Sequence, residues 1–188
     1  MPPRLRARAR GEALRYLGAL LAGGASTRFG SDKALAIWRG RSLIEQTLDA
    51  LRERTDDLVI CGRAWPRVHM LNDRPHAGIG PLGGLSVALH HARETGHDWV
   101  LCAPLDVVPL VANLTHLKEW DAATVIAEQR AVGLWPVSLA DSLDTYLASG
   151  QRSIRGWIES SGALEIPEIE PMFNINRPSD LDALRREG

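Results

Sequence analysis

The chain has 188 residues, of which 45% are hydrophobic and 24% charged, a composition typical of a globular domain and not of a disordered segment. No apolar run reaches the roughly 18–20 residues that span a bilayer, which argues against a membrane partner. Residues 1–15 carry five Arg and one Glu, while the remainder carries 17 basic and 22 acidic side chains, a net charge of −5. That sign argues against a nucleic-acid partner, because nucleic-acid affinity comes mainly from neutralising phosphates.

The basic first residues lack the apolar stretch of a secretory signal. We expect them to form a flexible arm over residues 1–15, ahead of a single domain over residues 16–188. Cys61 and Cys102 each lie in a short apolar run, which predicts buried strand thiols rather than a disulfide framework or a zinc site. The histidines also lack the spacing of metal ligands. Free thiols indicate a reducing compartment, so we expect a cytoplasmic protein.

Apolar runs and helical spacings alternate along the chain. Short apolar runs predict strands over residues 16–21, 58–61, 68–71, 99–103 and 123–127. Helical spacings predict helices over residues 42–51, 83–93, 110–119, 139–147 and 151–159, and a last helix with Ser179 as its N-cap. Ser42 and Glu45 have the spacing of a capping box. The alternation predicts a three-layer α/β/α, Rossmann-like fold with a mostly parallel central sheet, in which ligands bind beyond the carboxyl ends of the strands.

A glycine-rich loop, Leu21-Ala-Gly-Gly-Ala-Ser-Thr-Arg-Phe-Gly-Ser-Asp-Lys33, follows the first strand. Gly23 and Gly24 remove side chains that would keep a phosphate away from the backbone, and successive N–H groups in such a turn form an anion-binding concavity. Arg28 and Lys33 add positive charge. The spacing matches neither the Walker A motif nor the dinucleotide fingerprint, so the loop predicts a phosphate site of another kind.

Further polar segments lie at strand ends or open helices. Asn72-Asp73 ends the strand at 68–71 and, read alone, fits a turn as well as a ligand site. Residues 78–84, Gly-Ile-Gly-Pro-Leu-Gly-Gly, open a helix whose N-terminus favours anions. Asp106 lies just past the strand at 99–103, where a carboxylate suits Mg²⁺ or caps the next helix. Asn174 and Asn176 alternate on an extended segment and therefore share one face.

These segments resemble the motifs of the molybdenum cofactor guanylyltransferase family and, more broadly, those of nucleotidyltransferases with this fold. The loop matches the pattern LxGGxSxRxGxDK at Leu21, Gly23, Gly24, Ser26, Arg28, Gly30, Asp32 and Lys33. Residues 80–84 are similar to the family's Gly-Pro-Leu-Ala-Gly motif, and residues 174–181 to its Asn-x-Asn-x-Pro-x-Asp-Leu segment. Asp106 matches the aspartate of a Pro-x-Asp-x-Pro motif, with one extra residue before the second proline. The resemblance covers residues 16–187.

The resemblance implies a Mg²⁺-dependent enzyme that transfers GMP from GTP to the phosphate of molybdopterin, forming the guanine dinucleotide cofactor and pyrophosphate. It implies catalytic roles for Arg28, Lys33 and Asp106, with Asp106 holding Mg²⁺. The implied nucleotide site comprises Leu21, Ala22, Gly23, Gly24, Lys33, Asp73, Gly80, Pro81, Leu82, Gly83 and Asp106. Asn174 and Asn176 are expected at the acceptor or at metal-bound water. Expected partners are GTP, molybdopterin or the molybdenum cofactor, and molybdoenzymes or their chaperones.

One departure from the family pattern concerns the acceptor half of the chain. The family commonly has a proline where residues 129–132 read Gln-Arg-Ala-Val here, so the acceptor is less defined than the nucleotide chemistry. Two alternatives of the same fold stay open: a molybdopterin cytidylyltransferase, and an enzyme acting on another small-molecule phosphate. A non-catalytic nucleotide-binding accessory protein is the alternative of a different class.

Overall fold

The structure is a computed structural model that describes residues 13–23, 29 and 32–187, the side chain of residue 187 excepted. The expected basic arm therefore lies outside the described residues, apart from its last three positions. Of these, Arg15 contacts the body of the domain: its backbone N–H donates to Asp98 at 2.8 Å and its guanidinium donates to Asp57 at 3.0 Å. No helix in the described part of the chain is both long and apolar enough to cross a membrane.

Strands and helices alternate through most of the described chain. The strands are β1 (Tyr16–Leu21), β2 (Ile37–Trp38), β3 (Arg41–Ser42), β4 (Asp57–Cys61), β5 (His69–Leu71), β6 (Trp99–Pro104), β7 (Val107–Val108), β8 (Thr124–Ile126), β9 (Gly133–Pro136), β10 (Leu164–Ile166) and β11 (Phe173–Asn174). The helices are α1 (Leu43–Arg52), α2 (Pro81–Glu94), α3 (Val111–Leu117), α4 (Ala140–Ala148), α5 (Ile154–Ser161) and α6 (Pro178–Glu187). Short 3-10 helices occupy Lys33–Leu35 and Val137–Leu139.

The central sheet has seven strands in the order β10-β8-β9-β6-β1-β4-β5. All neighbouring pairs are parallel except those of β9, which runs antiparallel to both β6 and β8. The predicted mostly parallel sheet is therefore confirmed. The prediction lacked β9, because Gly133 and Pro136 at its ends are residues that weaken a strand assignment. Gly133 is needed here, since a Cβ at that position would lie 2.8 Å from the Trp135 Nε1 atom.

Two hydrophobic cores, one on each side of the sheet, confirm the three-layer arrangement. Leu20 of β1 belongs to the core that also contains α1, α3 and α6, whereas its neighbours Ala19 and Leu21 belong to the core with α2, α4 and α5. This alternation is the period of two expected along a strand that is covered on both faces. The central strand is thus buried on both sides, which leaves the edges where the strands end as the places where a ligand can approach.

Both cysteines are buried free thiols on strands, as the sequence predicts. Burial raises the pKa of the Cys102 thiol to about 12. Burial also raises the pKa of the Cys61 thiol well above its usual range. A thiol with a raised pKa stays protonated near neutral pH and is a poor nucleophile.

The helix termini confirm one predicted cap and correct another. Ser42 is the N-cap of α1 and forms the predicted capping box with Glu45. The prediction of Ser179 as N-cap of the last helix is wrong, because α6 begins one residue earlier, at Pro178. Proline is suited to the first helical position, since its fixed φ angle is helical and its missing N–H costs no hydrogen bond there. The carboxylate of Asp180 instead accepts from the backbone N–H groups of Asn176 and Arg177, each at 2.8 Å.

We expect Ser42→Ala to destabilise the protein by about 1 kcal/mol, because the first turn of α1 loses its side-chain acceptor. For a domain of this size the thermal midpoint should fall by about 2–4 °C. Ser179→Ala is the matched control, because Ser179 is exposed within the first turn of α6. Equal losses in the two variants by differential scanning calorimetry would contradict the assignment of the caps.

Candidate active site

A cavity of about 440 Å³ opens at the carboxyl ends of the central strands. The last residues of β1, β4 and β6, which are Leu21, Cys61 and Pro104, lie in its wall. Because β4 and β6 both run parallel to β1, one on each side of it, the carboxyl ends of the three strands meet at one edge of the sheet. The cavity therefore occupies the position where ligands bind in open α/β sheets.

Close backbone packing shapes the floor of the cavity beside β1. A Cβ on Gly62 would lie 2.5 Å from the Cα of Gly23, so the two glycines touch through their backbones. A Cβ on Gly23 would lie 2.8 Å from Oδ2 of Asp73. Any larger residue at position 23 would displace either the loop or this carboxylate. The glycine at this position is thus required by the approach of Asp73, in addition to the access for phosphate that the sequence indicates.

An ion pair joins the glycine-rich loop to the opposite side of the cavity. The Nζ atom of Lys33 donates to Oδ2 of Asp106 at 2.8 Å, and the lysine is 8% exposed. Lys33 begins the 3-10 helix after the loop, and Asp106 lies in the turn between β6 and β7. The fold thereby brings together two predicted site residues that are 73 positions apart in the sequence. The result is an adjacent cation and anion on the cavity wall.

A two-stranded ribbon brings the C-terminal asparagines to the same place. β11 pairs antiparallel with β7, so that Asn174 lies opposite Val107. The N–H of Ile175, the residue between the two asparagines, donates to the backbone carbonyl of Asp106 at 2.7 Å. Asn174 and Asn176 consequently line the cavity beside Asp106. Asp180 fixes the far side of this segment through the N–H groups of Asn176 and Arg177, and these contacts lower its pKa.

Asp73 is a carboxylate held in an unfavourable environment. Burial raises its pKa, and the backbone N–H of Gly78 opposes that effect. Its Oδ1 atom is buried and finds no hydrogen-bond donor among the residues that the structure describes. A buried acceptor without a donor costs about 1–3 kcal/mol. Such a cost is typical of a functional site, where a ligand supplies the missing donor.

Most of the predicted site residues line one cavity. Those that do are Leu21, Ala22, Gly23, Lys33, Asp73, Gly80, Pro81, Asp106, Asn174 and Asn176. Leu82 does not, since it is fully buried in the core under α2, and neither does Gly83, which packs against Ile79 and Asp73. Gly24 and Arg28 lie outside the described residues.

Other cavity-lining residues escaped the sequence prediction. They include Phe29, Cys61, Gly84, Leu105, Gln129 and Ala131. Gln129 and Ala131 belong to the turn between β8 and β9, and they were missed together with β9 itself. Cys61 carried a usable signal, because it ends a predicted strand at the edge of the sheet where ligands are expected.

The donor atoms around Asp106 fit a magnesium ion that takes most of its ligands from a substrate. Within residues 13–23, 29 and 32–187, no three His, Cys, Asp or Glu side chains cluster as ligands of one metal. Mg²⁺ nevertheless binds through one or two carboxylates together with phosphate oxygens and water. A half-buried carboxylate beside two asparagines, open to a cavity, meets that requirement.

We expect Asp73→Asn to leave the thermal midpoint at pH 7.5 unchanged or higher. A carboxyl group with a raised pKa in the folded state binds protons more tightly there than in the unfolded chain. Its contribution to the free energy of unfolding therefore falls as the pH rises from about 3.9 through the folded pKa. The advantage of the variant should shrink as the pH is lowered to 4.

Asp141→Asn is a matched control of opposite sign, because a hydrogen bond from Arg93 lowers the pKa of Asp141. Its midpoint should not rise at neutral pH. A lower midpoint for Asp73→Asn than for the wild type at pH 7.5, in calorimetric scans between pH 4 and 8, would show that the Asp73 charge stabilises the fold.

The fold and the cavity define a class of protein. A glycine-rich segment after the first strand, a lysine paired with an aspartate, and a cavity over the carboxyl ends of a parallel sheet are typical of α/β proteins that bind nucleotides. The family model of the MobA-like NTP transferase domain matches residues 18–165, and the chain belongs to this family.

Relatives and solved structures agree with this assignment. A molybdenum cofactor guanylyltransferase of Cereibacter sphaeroides is 31% identical over 185 residues, which cover 89% of this chain and 94% of the relative. A probable molybdenum cofactor guanylyltransferase of Deinococcus radiodurans is 32% identical, covering 90% of this chain and 94% of the relative. The family resemblance and the nucleotidyltransferase activity predicted from the sequence are thereby confirmed.

Two solved structures show the same fold. Molybdopterin-guanine dinucleotide biosynthesis protein A from Archaeoglobus fulgidus has a TM-score of 0.69 at 23% identity, covering 91% of this chain and 97% of its own. The 2-C-methyl-D-erythritol 4-phosphate cytidylyltransferase from Thermus thermophilus has a TM-score of 0.65 at 17% identity, covering 89% and 98%. A protein named for guanine dinucleotide biosynthesis and a cytidylyltransferase thus share this fold. The fold alone therefore does not show which nucleotide base a protein of this class uses.

Proposed function

We propose that the protein transfers GMP from GTP to the phosphate of molybdopterin, with Mg²⁺ as cofactor, and releases pyrophosphate. The observation that carries the proposal is the Lys33–Asp106 pair at the wall of a cavity that Leu21, Ala22 and Gly23 also line. The names of the relatives support the choice of guanine and of the molybdenum cofactor. The chemistry of this transfer must also be possible with the side chains that line the cavity.

The chemistry requires little acid–base catalysis. A phosphate monoester has a second pKa of about 6, so the acceptor is mostly dianionic at neutral pH. One of its oxygens attacks the α-phosphorus of GTP, a new P–O bond forms, and the bond to the β-phosphate oxygen breaks. Pyrophosphate leaves with the electron pair of that bond. No histidine lines the described cavity, and burial keeps the Cys61 thiol protonated, so a route that needs no general base fits the residues present.

The barrier is mainly electrostatic, because two anions meet and charge builds on the departing pyrophosphate. Lys33 supplies a buried ammonium, and removal from water strengthens its attraction for phosphate oxygens. Asp106 would hold Mg²⁺, with the amides of Asn174 and Asn176 beside it. When bound, Mg²⁺ supplies neutralisation of the triphosphate and of the leaving group. The contact between Lys33 and Asp106 supports this proposal, because a metal ion on Asp106 would lie close to the lysine ammonium.

Asp73 supports guanine as the base. Guanine presents two adjacent donors, its N1–H and its 2-amino group, which a carboxylate can accept together. Cytosine and adenine offer an amino group beside a ring acceptor, which a carboxylate repels. The buried Oδ1 of Asp73 is an acceptor in need of a donor, and Asp73 lines the cavity. A site built for a specific donor discriminates strongly against analogues that lack it.

The acceptor is assigned to the other side of Asp106. Gln129 and Ala131 in the β8–β9 turn, together with Asn174 and Asn176, form the wall of the cavity that is not part of the glycine-rich turn. The Gln129 side chain is half-buried, and its backbone is fixed by bonds to Ile126 and Val132. A rigid turn presenting an amide suits the recognition of a polar small molecule.

We expect Lys33→Ala and Asp106→Ala each to lower turnover by roughly 10²-fold or more, the scale of losing one major electrostatic contact to the transition state. Turnover is followed as pyrophosphate release from GTP with molybdopterin and Mg²⁺. Lys118→Ala is the matched control, because Lys118 lies over the Tyr16 ring and donates to the Arg54 carbonyl. Near-normal rates in both site variants would refute these roles.

We expect the protein to form product from GTP at least tenfold faster than from CTP, ATP or UTP, since one mispaired buried donor or acceptor costs about 1–3 kcal/mol. Purified protein is incubated with each nucleotide, Mg²⁺ and molybdopterin, and the product is identified by mass. In Asp73→Asn the preference for GTP should fall, while the protein stays folded. Preferential formation of the cytosine product by the wild type would show that the protein is a cytidylyltransferase and not a guanylyltransferase. Binding of nucleotides without any product would favour an accessory protein.

A further inference from the structure

Asp32 is the residue before the catalytic lysine, and it takes part in two interactions at once. Its Oδ1 accepts from the N–H of Ala34 at 3.1 Å, which caps the 3-10 helix that Lys33 begins. Both of its carboxylate oxygens also accept from Arg63, with Nη1 to Oδ1 at 2.7 Å and Nη2 to Oδ2 as the second contact. This is a bidentate pair, the strongest geometry available to arginine and a carboxylate. The hydrogen bond from Arg63 is the main cause of the lowered pKa of Asp32.

Arg63 is itself fixed to the edge of the central sheet. It follows Gly62, which comes directly after β4, has a φ of +80°, and donates its N–H to the Leu71 carbonyl at 2.8 Å. The backbone of Gly62 packs on Gly23. The Nε of Arg63 is buried without an acceptor among the described residues. The position of the guanidinium is therefore set by its two hydrogen bonds to Asp32, even though its Nε–H has no acceptor among the described residues.

The position of the Lys33 ammonium depends on how the start of the 3-10 helix Lys33–Leu35 is held. A lysine side chain has four flexible methylenes, and its position is set only if the backbone below it is held. On the following side, Ala34 is fully buried and the Ala36 carbonyl accepts from the N–H of Leu43 at 3.0 Å. On the preceding side, the described contacts are those of Asp32. The turn should therefore keep its fold without Arg63 while its start becomes free to move.

We propose that Arg63 is a positioning residue for Lys33: it holds Asp32 against the end of β4 and thereby keeps the ammonium on Asp106. The mechanical part of this inference stands on the contacts alone. Its catalytic part rests on the proposed function. Arg63 does not line the cavity, so its effect on the reaction passes through Asp32 and Lys33.

The mechanical part can be tested by lysine labelling, because Lys33 and Lys118 are the lysines of this sequence. Folded protein is exposed briefly to formaldehyde and a borohydride reductant, and peptide mass spectrometry gives the labelled fraction at each lysine. In Arg63→Ala we expect Lys33 to be labelled about fivefold faster than in the wild type, the scale of one charge-assisted bond lost from a partly exposed pair. Lys118 in the same molecule should keep its rate.

Two further variants sharpen this experiment. Asp32→Asn keeps a good N-cap but loses the carboxylate charge that holds Arg63, so Lys33 should again be labelled faster. Arg155→Ala removes an exposed arginine from an ion pair with Glu159 and should change neither lysine. If Lys118 is also labelled faster in Arg63→Ala, that variant has lost its fold and Asp32→Asn decides. An unchanged rate at Lys33 in a folded variant overturns the inference.

The catalytic part can be tested by a double-mutant cycle on turnover. Arg63→Ala should lower turnover about tenfold, because a displaced charge loses much of its effect on the transition state. In the Lys33→Ala background the same substitution should cost nothing further, since the group that it positions is already gone. Independent, multiplying losses would mean that Arg63 acts in some other way. If the wild type transfers no GMP to molybdopterin, the proposed function is wrong. The labelling result would still decide whether Arg63 holds Lys33 in place.

Discussion

A buried ammonium next to a half-buried carboxylate is the constraint on which this site depends. Removing Lys33 from water is costly, and only a partner at hydrogen-bonding distance makes that burial tolerable. The partner, Asp106, comes from a different part of the chain, so the pair exists only when the 3-10 helix that Lys33 begins meets the turn after β6. A pair of this kind contributes little net stability. It holds an adjacent cation and carboxylate on the cavity wall, and in the proposed function these would meet the phosphates and the metal ion.

The parallel sheet explains why the polar groups converge. The strands β1, β4 and β6 all end at one edge, and each delivers a turn to the cavity. The small ribbon of β7 and β11 adds the C-terminal segment, whose Ile175 N–H is bonded to the Asp106 carbonyl. The cavity therefore combines residues from the beginning, the middle and the end of the chain. Glycines at positions 23 and 62 permit this convergence, because the backbones there are in direct contact.

The half-buried carboxyl group of Asp73 lowers the free energy of unfolding near neutral pH. Its carboxyl group has a raised pKa, and one of its oxygens lacks a donor in the described structure. A carboxylate of this kind destabilises the folded protein near neutral pH. In the proposed function, a base with two adjacent donors would relieve that cost on binding. If Asp73 recognises the base as proposed, stability and specificity are opposed at this residue.

Local chemistry made much of this architecture predictable. Each predicted strand and helix has a counterpart in the structure, because apolar periodicity and the Ser42 capping box act over a few residues. The glycine-rich turn, Asp73, Asp106 and the two asparagines were also identifiable, since each lies where a predicted strand ends or in a motif of the family. Antiparallel β9 was missed, because its four residues begin with glycine and end with proline. Ser179 was misplaced as a cap, because Pro178 competes for the start of the same helix.

The sequence by itself determined the class of fold, the position of the glycine-rich segment after the first strand and most of the candidate site residues, since these depend on short-range patterns. Only the tertiary structure decided which of those residues meet. It paired Lys33 with Asp106, left Leu82 in the core, and joined Arg63 to Asp32 across 31 positions of the chain. The physical reason is that an ion pair or a backbone contact between distant residues depends on how strands are ordered and packed, and no periodicity in the chain records that order.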